Sequence, residues 1–306
     1  MTIRAEKIWF DGKLIPWDEA NVHVLTHTLH YGLGVFEGIR CYKTAKGKTA
    51  VFKLKEHVDR LFSSAHIVEM KIPFSKDEIF NAILGTVKVN NIGDGYIRPI
   101  SFVGNSSIGL YVKEYPVQTA IIAIPFGKYL GEEGIEKGIT VKTSSFTRHG
   151  VNTSMTRAKI CGAYVNSILA KKEAVENGYD EALMLDQTGF VCEASGENIF
   201  ILKDNVFYTP PKISILPGIT RDTVMEIIRE EGYEVREYPL TRDDIYIADE
   251  AFFCGTAAEI TPIREVDGRT IGIGKAGEIT KLFQKKFFEY ARCENDKHID
   301  WLSFVE

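Results

Sequence analysis

Apolar and polar positions alternate with two different periods along the chain, and these periods predict where helices and strands lie. Over residues 54–70, apolar side chains recur every three or four positions, which predicts an amphipathic helix. Ser75 followed by Glu78 matches a capping box, so a second helix is predicted to begin there and to run to about Asn90. Further helices are predicted after Lys159 to about Asn177, and over residues 220–231 and 275–292.

Shorter runs with a period of two predict strands and hairpins. Asp11-Gly12 is the predicted turn of the first hairpin. Strands are predicted at residues 22–32, 35–42, 49–53, 96–103, 118–125, 140–143, 182–186, 190–193, 199–202, 206–208, 250–254 and 260–266. Because strands and helices are mixed without a sustained β-α-β alternation, the sequence predicts an α/β fold of two α+β-like layers and not a doubly wound sheet.

Residues 126–138 are rich in Gly and Glu and predict a linker between two domains, residues 1–125 and residues 139–306. A chain of 306 residues is long enough for two cores. The net charge of −5 and the absence of a polybasic tract argue against nucleic acid or membrane surfaces as partners. No apolar run suits a bilayer span or a signal peptide. Five scattered cysteines without a CxxC pair predict neither disulfides nor zinc, so a reduced, cytoplasmic protein is expected.

Lys159 lies between a polar, irregular segment and a predicted helix rich in small residues. These small neighbours leave room for a cofactor to approach closely. A lysine amine is the standard group for a Schiff base with an aldehyde cofactor or a carbonyl substrate. Taken alone, the segment favours the ordinary interpretation of a surface lysine at a helix start.

Three further stretches suit an anionic or a cationic group. The turn at Pro217-Gly218 leads into a helix with Thr220 as its predicted N-cap, where the N–H groups of Ile219 and Thr220 and the helix dipole would receive a phosphate. Residues 255–258 form a second turn of small residues. Glu193, at a strand end, would suit a positively charged ring nitrogen. Each stretch alone also fits an ordinary helix cap, turn or solvated glutamate.

Two patterns carry no function by themselves. Residues 272–277 match GxGxxG, but only a short strand precedes them and no second strand follows the helix, so they are interpreted as a loop. His23, His27 and His30 fall in an alternating segment that would not bring the three side chains together. No metal site is therefore predicted.

In combination, these motifs are far more specific. Their order along the chain resembles that of the class IV pyridoxal-phosphate aminotransferases. The order is Lys159 with Tyr164, Glu193 before Ala-Ser-Gly-Glu-Asn, residues 216–221 (Leu-Pro-Gly-Ile-Thr-Arg) and residues 255–260 (Gly-Thr-Ala-Ala-Glu-Ile). Residues 30–42 and 96–99 resemble the branched-chain amino acid aminotransferases within that class. The resemblance extends over essentially the whole chain. It implies the two-domain type IV fold of pyridoxal-phosphate enzymes, similar to D-amino acid aminotransferase, with residues 139–306 as the cofactor-binding domain.

The resemblance implies that Lys159 forms a Schiff base with pyridoxal 5'-phosphate and then moves the proton at the substrate Cα. Glu193 would hold the pyridine nitrogen protonated. The other implied cofactor contacts are Tyr164 to the phenolic oxygen, Leu216 against the ring, and Arg60, Ile219, Thr220 and Thr256 to the phosphate. The implied substrate-binding residues are Tyr31, Phe36, Gly38, Tyr96, Arg98, Tyr129, Tyr164, Ala257 and Ala258. Among them, Arg98 would accept the distal carboxylate of glutamate.

The implied reaction is reversible transfer of an amino group between L-leucine, L-isoleucine or L-valine and 2-oxoglutarate. A D-amino acid aminotransferase and an aminodeoxychorismate lyase of the same fold are the alternatives. A cofactor-binding protein without turnover, or a structural oligomer, is the alternative outside enzymes. The resemblance also implies a homodimer or a larger assembly such as a homohexamer.

Overall fold

The computed structural model describes residues 4–111, 113–127 and 131–306, with the side chain of residue 132 left out. The helices are α1 (His27–Tyr31), α2 (Leu54–Ile67), α3 (Lys76–Val89), α4 (Gly131–Lys137), α5 (Tyr164–Glu176), α6 (Ile219–Glu230), α7 (Arg242–Tyr246) and α8 (Glu278–Ala291). The strands are β1 (Lys7–Phe10), β2 (Lys13–Pro16), β3 (Gly34–Phe36), β4 (Ile39–Lys43), β5 (Thr49–Phe52), β6 (Gly95–Val103), β7 (Val117–Pro125), β8 (Ile139–Thr143), β9 (Glu181–Leu185), β10 (Val191–Ala194), β11 (Asn198–Lys203), β12 (Val206–Thr209), β13 (Glu234–Glu237), β14 (Glu250–Gly255), β15 (Glu259–Val266), β16 (Arg269–Thr270) and β17 (Leu302–Phe304).

The chain divides into two compact units. The first comprises Met1–Gly127, Ala158–Ala163 and Glu289–Glu306, and the second comprises Lys128–Arg157 and Tyr164–Phe288. These units differ from the sequence division into residues 1–125 and 139–306. The difference arises because two later segments pair with strands of the first unit. Ile160 bridges to Val35, and β17 pairs with β5. A linker over residues 126–138 stays a prediction, and α4 lies within that range.

In the first unit, the strands form one sheet in the order β17-β5-β4-β6-β7-β1-β2, with β3 paired to β6. Helices α2 and α3 pack their apolar faces on this sheet, where Leu61 and Ile83 join Ile39 and Ile97 in the core. The capping box at the start of α3 is confirmed, because the Ser75 hydroxyl accepts a hydrogen bond from the Glu78 N–H and the Glu78 carboxylate accepts one from the Ser75 N–H. The predicted first hairpin is also confirmed as β1 and β2.

In the second unit, the strands follow the order β10-β9-β8-β15-β14-β11-β12-β13. An additional pairing between Glu193 and Asn198 joins β10 to β11. This pairing closes the sheet into a ring that runs through β10, β9, β8, β15, β14 and β11. The side chains of Val141, Leu183, Ile199 and Phe253 are fully buried in the core of this unit.

Two strand predictions were wrong in detail. Residues 22–32 contain helix α1 instead of a strand, and Gly32 ends that helix in the left-handed conformation (φ 73°). The alternation there does not reflect burial, since Val24 is 71% exposed. Residues 35–42 form two strands, because β3 pairs with β6, whereas β4 lies between β5 and β6. The break falls at Glu37 and Gly38.

No helix in the described ranges combines the length and the apolar character needed to cross a bilayer.

Candidate active site

The main chain of Lys159 is fixed inside the first unit. Lys159 lies before a 3-10 turn (Cys161–Ala163) and not in a helix, since α5 begins only at Tyr164. Its N–H donates to the Ser64 hydroxyl at 3.0 Å. Its carbonyl accepts the N–H of Phe36 at 3.1 Å. Helix α2 and strand β3 therefore hold the lysine backbone through both its N–H and its carbonyl.

The side chains of Lys159 and Arg98 both lie against the Phe36 ring. The Lys159 Nζ is 5.0 Å from the ring centroid, and the Arg98 Cζ is 4.7 Å from it. A cation above an aromatic face is stabilised by the ring quadrupole. Phe36 is buried, while Lys159 and Arg98 are half-buried. This arrangement places two cations beside one apolar wall, which suits a ligand that is anionic at one end and apolar elsewhere.

Tyr96 and Gly38 complete this part of the first unit. The Arg98 Nη2 donates to the Tyr96 hydroxyl at 2.9 Å. Within the described residues, the Arg98 Nε is buried and has no hydrogen-bond partner. A Cβ atom at Gly38 would overlap with the Tyr96 hydroxyl, so only glycine allows this approach. The structure thus brings together Phe36, Gly38, Tyr96, Arg98 and Lys159.

Two predicted pocket residues are not part of this group. Tyr31 lies at the end of α1, is 38% exposed, and has its ring 4.5 Å from that of His27. Tyr129 lies outside the described residues. Phe126, which the sequence interpretation missed, lies with its ring centroid 5.1 Å from that of Tyr96. Its position in the predicted linker gave no signal of such a contact.

Arg60 is held by a buried carboxylate that the sequence interpretation also missed. Glu37 is fully buried and accepts hydrogen bonds from the Arg60 Nε at 2.7 Å and the Arg60 Nη2 at 2.8 Å. The His57 Nδ1 lies 2.8 Å from the second Glu37 oxygen. Burial raises the pKa of Glu37, but Arg60 and His57 more than offset this, so the pKa lies well below its usual range. Glu37 is therefore ionised at neutral pH.

In the second unit, Glu193 lies where β10 meets β11 and is buried. One carboxylate oxygen accepts the Arg148 Nε at 2.6 Å. The other accepts the Asn198 Nδ2 at 3.2 Å and the Leu216 N–H at 3.1 Å. Burial lowers the pKa of Arg148, but the Glu193 carboxylate more than offsets burial, so this pKa is raised. Glu193 and Leu216, which were each predicted to contact the cofactor, are thus in direct contact with each other.

The turn before α6 differs from the prediction by a shift of the helix start. Gly218 is the N-cap, with φ −71° and ψ 128°, so the predicted N-cap Thr220 is wrong. The helix begins earlier because the turn residue Gly218 already has the extended backbone of a cap. Ile219 and Thr220 lie in the first turn, where N–H groups have no partner within the helix. They therefore present donors at the positive end of the helix dipole.

The second small-residue turn connects β14 to β15. The strand ends Gly255 and Glu259 pair with each other, so Thr256, Ala257 and Ala258 form the connection between them. Ala258 is buried, and its carbonyl accepts the Thr261 hydroxyl at 2.8 Å. Thr256 and Ala257 are half-buried.

Gly218 provides a test of this part of the site. A Cβ atom there would overlap with the Asn198 amide oxygen. We expect Gly218→Ala to push the Asn198 side chain away from Glu193 and to destabilise the protein by about 1–3 kcal/mol, the usual range for overpacking. Thermal unfolding checks this. Gly85→Ala is the control, because Gly85 lies in helix α3 with open space around it. Equal unfolding temperatures for the two variants would contradict the expected overlap.

A buried acidic pair lies close to Glu193 along the chain. Glu197 is buried, and burial together with the neighbouring Glu181 carboxylate raises its pKa above its usual range. Glu181 is itself fully buried and pairs with the Lys171 Nζ at 2.7 Å. The sequence analysis included Glu197 only as part of the motif after Glu193. Its burial was not predicted, since a glutamate after glycine gives no sign of burial.

Known proteins with similar sequences and structures identify the family of this chain. The family model of class IV aminotransferases ("Amino-transferase class IV") matches residues 34–266. A relative from Pseudomonas aeruginosa, named branched-chain-amino-acid aminotransferase, is 53% identical over 306 residues, which is 100% of this chain and 99% of the relative. The solved branched-chain amino acid aminotransferase of Escherichia coli superposes with a TM-score of 0.97 at 44% identity and covers 99% of this chain and 100% of its own.

A further solved relative is a holo-form. The branched-chain amino acid aminotransferase of Thermobaculum terrenum, solved in its PLP-form, has a TM-score of 0.93 at 35% identity, with 99% of both chains covered. The resemblance seen in the sequence motifs and the expected fold are thereby confirmed. This chain belongs to the class IV aminotransferase family.

Proposed function

We propose that this protein is a pyridoxal-phosphate-dependent branched-chain amino acid aminotransferase. It exchanges an amino group between L-leucine, L-isoleucine or L-valine and 2-oxoglutarate. The observation that carries the substrate class is the pair of Lys159 and Arg98 on one Phe36 ring. An apolar wall accepts a branched side chain, and the Arg98 guanidinium beside it accepts the distal carboxylate of glutamate. The relatives named above support the same reaction.

The residues present fit pyridoxal phosphate. The cofactor needs an amine, a carboxylate for its ring nitrogen, and donors for a phosphate. Lys159 has its backbone fixed and its amine beside an aromatic ring. Glu193 is buried and receives hydrogen bonds from Arg148, Asn198 and Leu216. The first turn of α6 provides N–H donors at the positive end of the helix dipole.

Pyridoxal phosphate supplies an electron-withdrawing ring that stabilises negative charge at the substrate Cα. Lys159 would provide the amine that binds the cofactor and would afterwards carry the proton to and from that carbon. Glu193 would keep the pyridine nitrogen protonated. Tyr164 would donate to the phenolic oxygen, and Leu216 would pack against the ring. The proposed phosphate contacts are Arg60, the amides of Ile219 and Thr220, and the Thr256 hydroxyl.

For the substrate, we propose that Tyr96 and the amides of Ala257 and Ala258 bind the α-carboxylate. We propose that Phe36 and Gly38 line the side-chain pocket and that Arg98 lies at its edge. The implied pocket roles of Tyr31, Tyr129 and Tyr164 stay predictions, and Tyr129 lies outside the described residues. The Tyr96–Arg98 hydrogen bond orients the guanidinium, and the buried Arg98 Nε supplies a donor for an acidic substrate. Such a donor stays unused while leucine is bound, so the acidic substrate alone gains from it.

Replacement of Arg98 by Met separates the two substrates. We expect Arg98→Met to raise the KM for 2-oxoglutarate and glutamate by about 10- to 100-fold, because a hydrogen-bonded charge pair is lost. The KM for L-leucine changes little, since the methionine side chain keeps an apolar surface. Steady-state kinetics of the full reaction, with each substrate varied in turn, check this. Equal losses for leucine and glutamate would contradict the proposed role of Arg98.

The proposed function is tested by incubating the protein with pyridoxal phosphate, 2-oxoglutarate and either enantiomer of leucine, and then measuring glutamate. The expected result is glutamate with L-leucine and none with D-leucine. Glutamate with the D-enantiomer alone would identify a D-amino acid aminotransferase. In a parallel incubation with aminodeoxychorismate, release of pyruvate by a protein that forms no glutamate from leucine would identify the lyase of the same fold.

We further propose that the protein is cytoplasmic and forms a homodimer or a larger assembly such as a homohexamer. Apolar side chains remain exposed in this single chain on helix α5, where Val165, Ile168 and Val175 are each more than half exposed. A second copy of the chain would bury such a surface. All five cysteines are unpaired, which is the state expected in a reducing compartment. Light scattering of the purified protein determines its assembly.

A further inference from the structure

Glu37 stands at the centre of a buried polar cluster in the first unit. It lies between β3 and β4, and its N–H donates to the Pro99 carbonyl at 2.9 Å. Its side chain is fully buried, which is unusual for a carboxylate unless cations or donors surround it. Here Arg60 and His57 both contact it. Its chain neighbours Phe36 and Gly38 belong to the proposed pocket, whereas Glu37 itself has no part in the proposed contacts to cofactor or substrate.

The contact between Glu37 and Arg60 fixes the direction of the guanidinium. The two bonds, Nε to one carboxylate oxygen and Nη2 to the other, measure 2.7 and 2.8 Å. Two parallel bonds to a planar fork fix its plane as well as its position. A single bond would leave the plane free to rotate. The orientation of the Arg60 Nη1 edge is therefore determined by Glu37.

His57 fixes Glu37 in turn. Its ring is buried, and burial lowers the pKa of His57 despite the neighbouring Glu37 carboxylate, so the ring is neutral at pH 7. An ionised carboxylate can only accept hydrogen bonds. The His57 Nδ1 must consequently carry the proton and donate it to Glu37 across 2.8 Å.

These contacts come from one face of helix α2. His57, Arg60 and Ser64 follow at intervals of three and four residues, so they lie on the same side of the helix. Ser64 on that face accepts the Lys159 N–H. One helix face thus holds the backbone of the proposed catalytic lysine and carries the arginine that Glu37 orients.

We propose that Glu37, supported by His57, is a positioning residue that orients Arg60 toward the phosphate of the cofactor. This inference rests on the proposed function, in which Arg60 contacts that phosphate. An arginine that is already oriented loses less conformational freedom when the ligand binds. Glu37 therefore strengthens phosphate binding although it carries the same sign of charge as the phosphate.

The negative charge of Glu37 would weaken phosphate binding, whereas its orientation of Arg60 would strengthen it. Because these two effects have opposite signs, the role of Glu37 can be tested. Glu37→Gln removes a negative charge, so simple electrostatics predicts tighter binding of a phosphate. Positioning predicts weaker binding, because the Gln side chain offers only one acceptor to the Arg60 fork. The experiment measures the Kd of the apo-protein for pyridoxal phosphate and for pyridoxal, which lacks the phosphate.

For Glu37→Gln we expect the Kd for pyridoxal phosphate to rise about tenfold, in line with the loss of one pre-oriented side chain. The Kd for pyridoxal stays within about twofold of the wild-type value. The matched control is Glu250→Gln, because Glu250 is also an acceptor of several hydrogen bonds, from Ile279 and Thr280 at the start of α8. The control leaves the preference for the phosphorylated ligand unchanged.

Arg60→Met separates failure of this inference from failure of the proposed function. If Arg60→Met lowers the preference for pyridoxal phosphate and Glu37→Gln does not, the role of Glu37 is wrong and the phosphate role of Arg60 stands. If wild type and Arg60→Met show equal preference, the proposed phosphate contact itself is wrong. In the Arg60→Met background, Glu37→Gln should produce no further change in preference, since Glu37 acts through Arg60.

His57→Phe provides the measurement if Glu37→Gln does not fold. Phenylalanine fills the buried space of the ring but has no N–H donor for Glu37. We expect the preference for pyridoxal phosphate over pyridoxal to fall about threefold, less than for Glu37→Gln, because the Arg60 bonds remain. An unchanged preference in a folded His57→Phe protein would overturn the support role of His57, and an increased preference in either variant would overturn the proposal.

Discussion

Replacement of Lys159 by Ala is expected to abolish amino-group transfer, with a loss of about 10⁴-fold or more in kcat. The variant lacks the amine that lies against the Phe36 ring and that is proposed to bind the cofactor and to carry the proton at the substrate Cα. The measurement is the rate of glutamate formation from L-leucine and 2-oxoglutarate at saturating cofactor.

The fold should survive this change. The contacts that fix residue 159 use its backbone N–H and carbonyl, which alanine retains. The unfolding temperature should therefore change little, and pyridoxal phosphate should still bind through its phosphate contacts. Lys203→Ala is the control, because Lys203 is a lysine whose Nζ pairs with Asp249 on the surface. Near wild-type turnover by Lys159→Ala would refute the assignment.

Replacement of Glu193 by Gln is expected to lower kcat by about 10²- to 10³-fold, the usual effect of removing one preorganised electrostatic contact from a site. Glutamine keeps the shape of the side chain but cannot hold a proton on the pyridine nitrogen by charge. The change also leaves the buried Arg148 guanidinium without its carboxylate. A broken buried pair destabilises by about 3–5 kcal/mol, so the unfolding temperature should fall as well.

Arg148→Met distinguishes the two consequences. It breaks the same pair but keeps the Glu193 carboxylate and its hydrogen bonds from Asn198 and Leu216. We expect a smaller loss of kcat, with a comparable loss of stability. If both variants lose kcat equally, the effect of Glu193 arises from the broken pair and not from the pyridine nitrogen.

The local elements of this fold are readable from the sequence because their signals are local. The capping box of Ser75 and Glu78, the first hairpin, and the position of Glu193 in a strand all depend on neighbours within a few residues. The Pro-Gly turn before α6 predicted the start of this helix to within one or two residues. The segment with α1 failed because its exposed apolar residues alternate without a buried face.

The partners of the site residues could not be predicted in the same way. Arg148 and Glu193 are 45 residues apart, and Glu37 and Arg60 are 23 apart, so folding and not sequence proximity brings them together. The sequence does show that His57, Arg60 and Ser64 are polar residues at helical spacing in a predicted amphipathic helix. The other inward-facing residues of this helix are apolar core residues. The sequence alone does not show that the polar residues bind a buried carboxylate, because Glu37 reaches them only in the folded chain.

We propose above that Lys159 holds pyridoxal phosphate for amino-group transfer from L-branched-chain amino acids. The most direct test of this claim is the visible absorption spectrum of the purified protein with pyridoxal phosphate, before and after addition of L-leucine. We predict an absorption band of the bound cofactor that disappears with L-leucine and returns with 2-oxoglutarate. A protein that shows no such band even with added pyridoxal phosphate, or a band that responds only to D-amino acids, would contradict the claim.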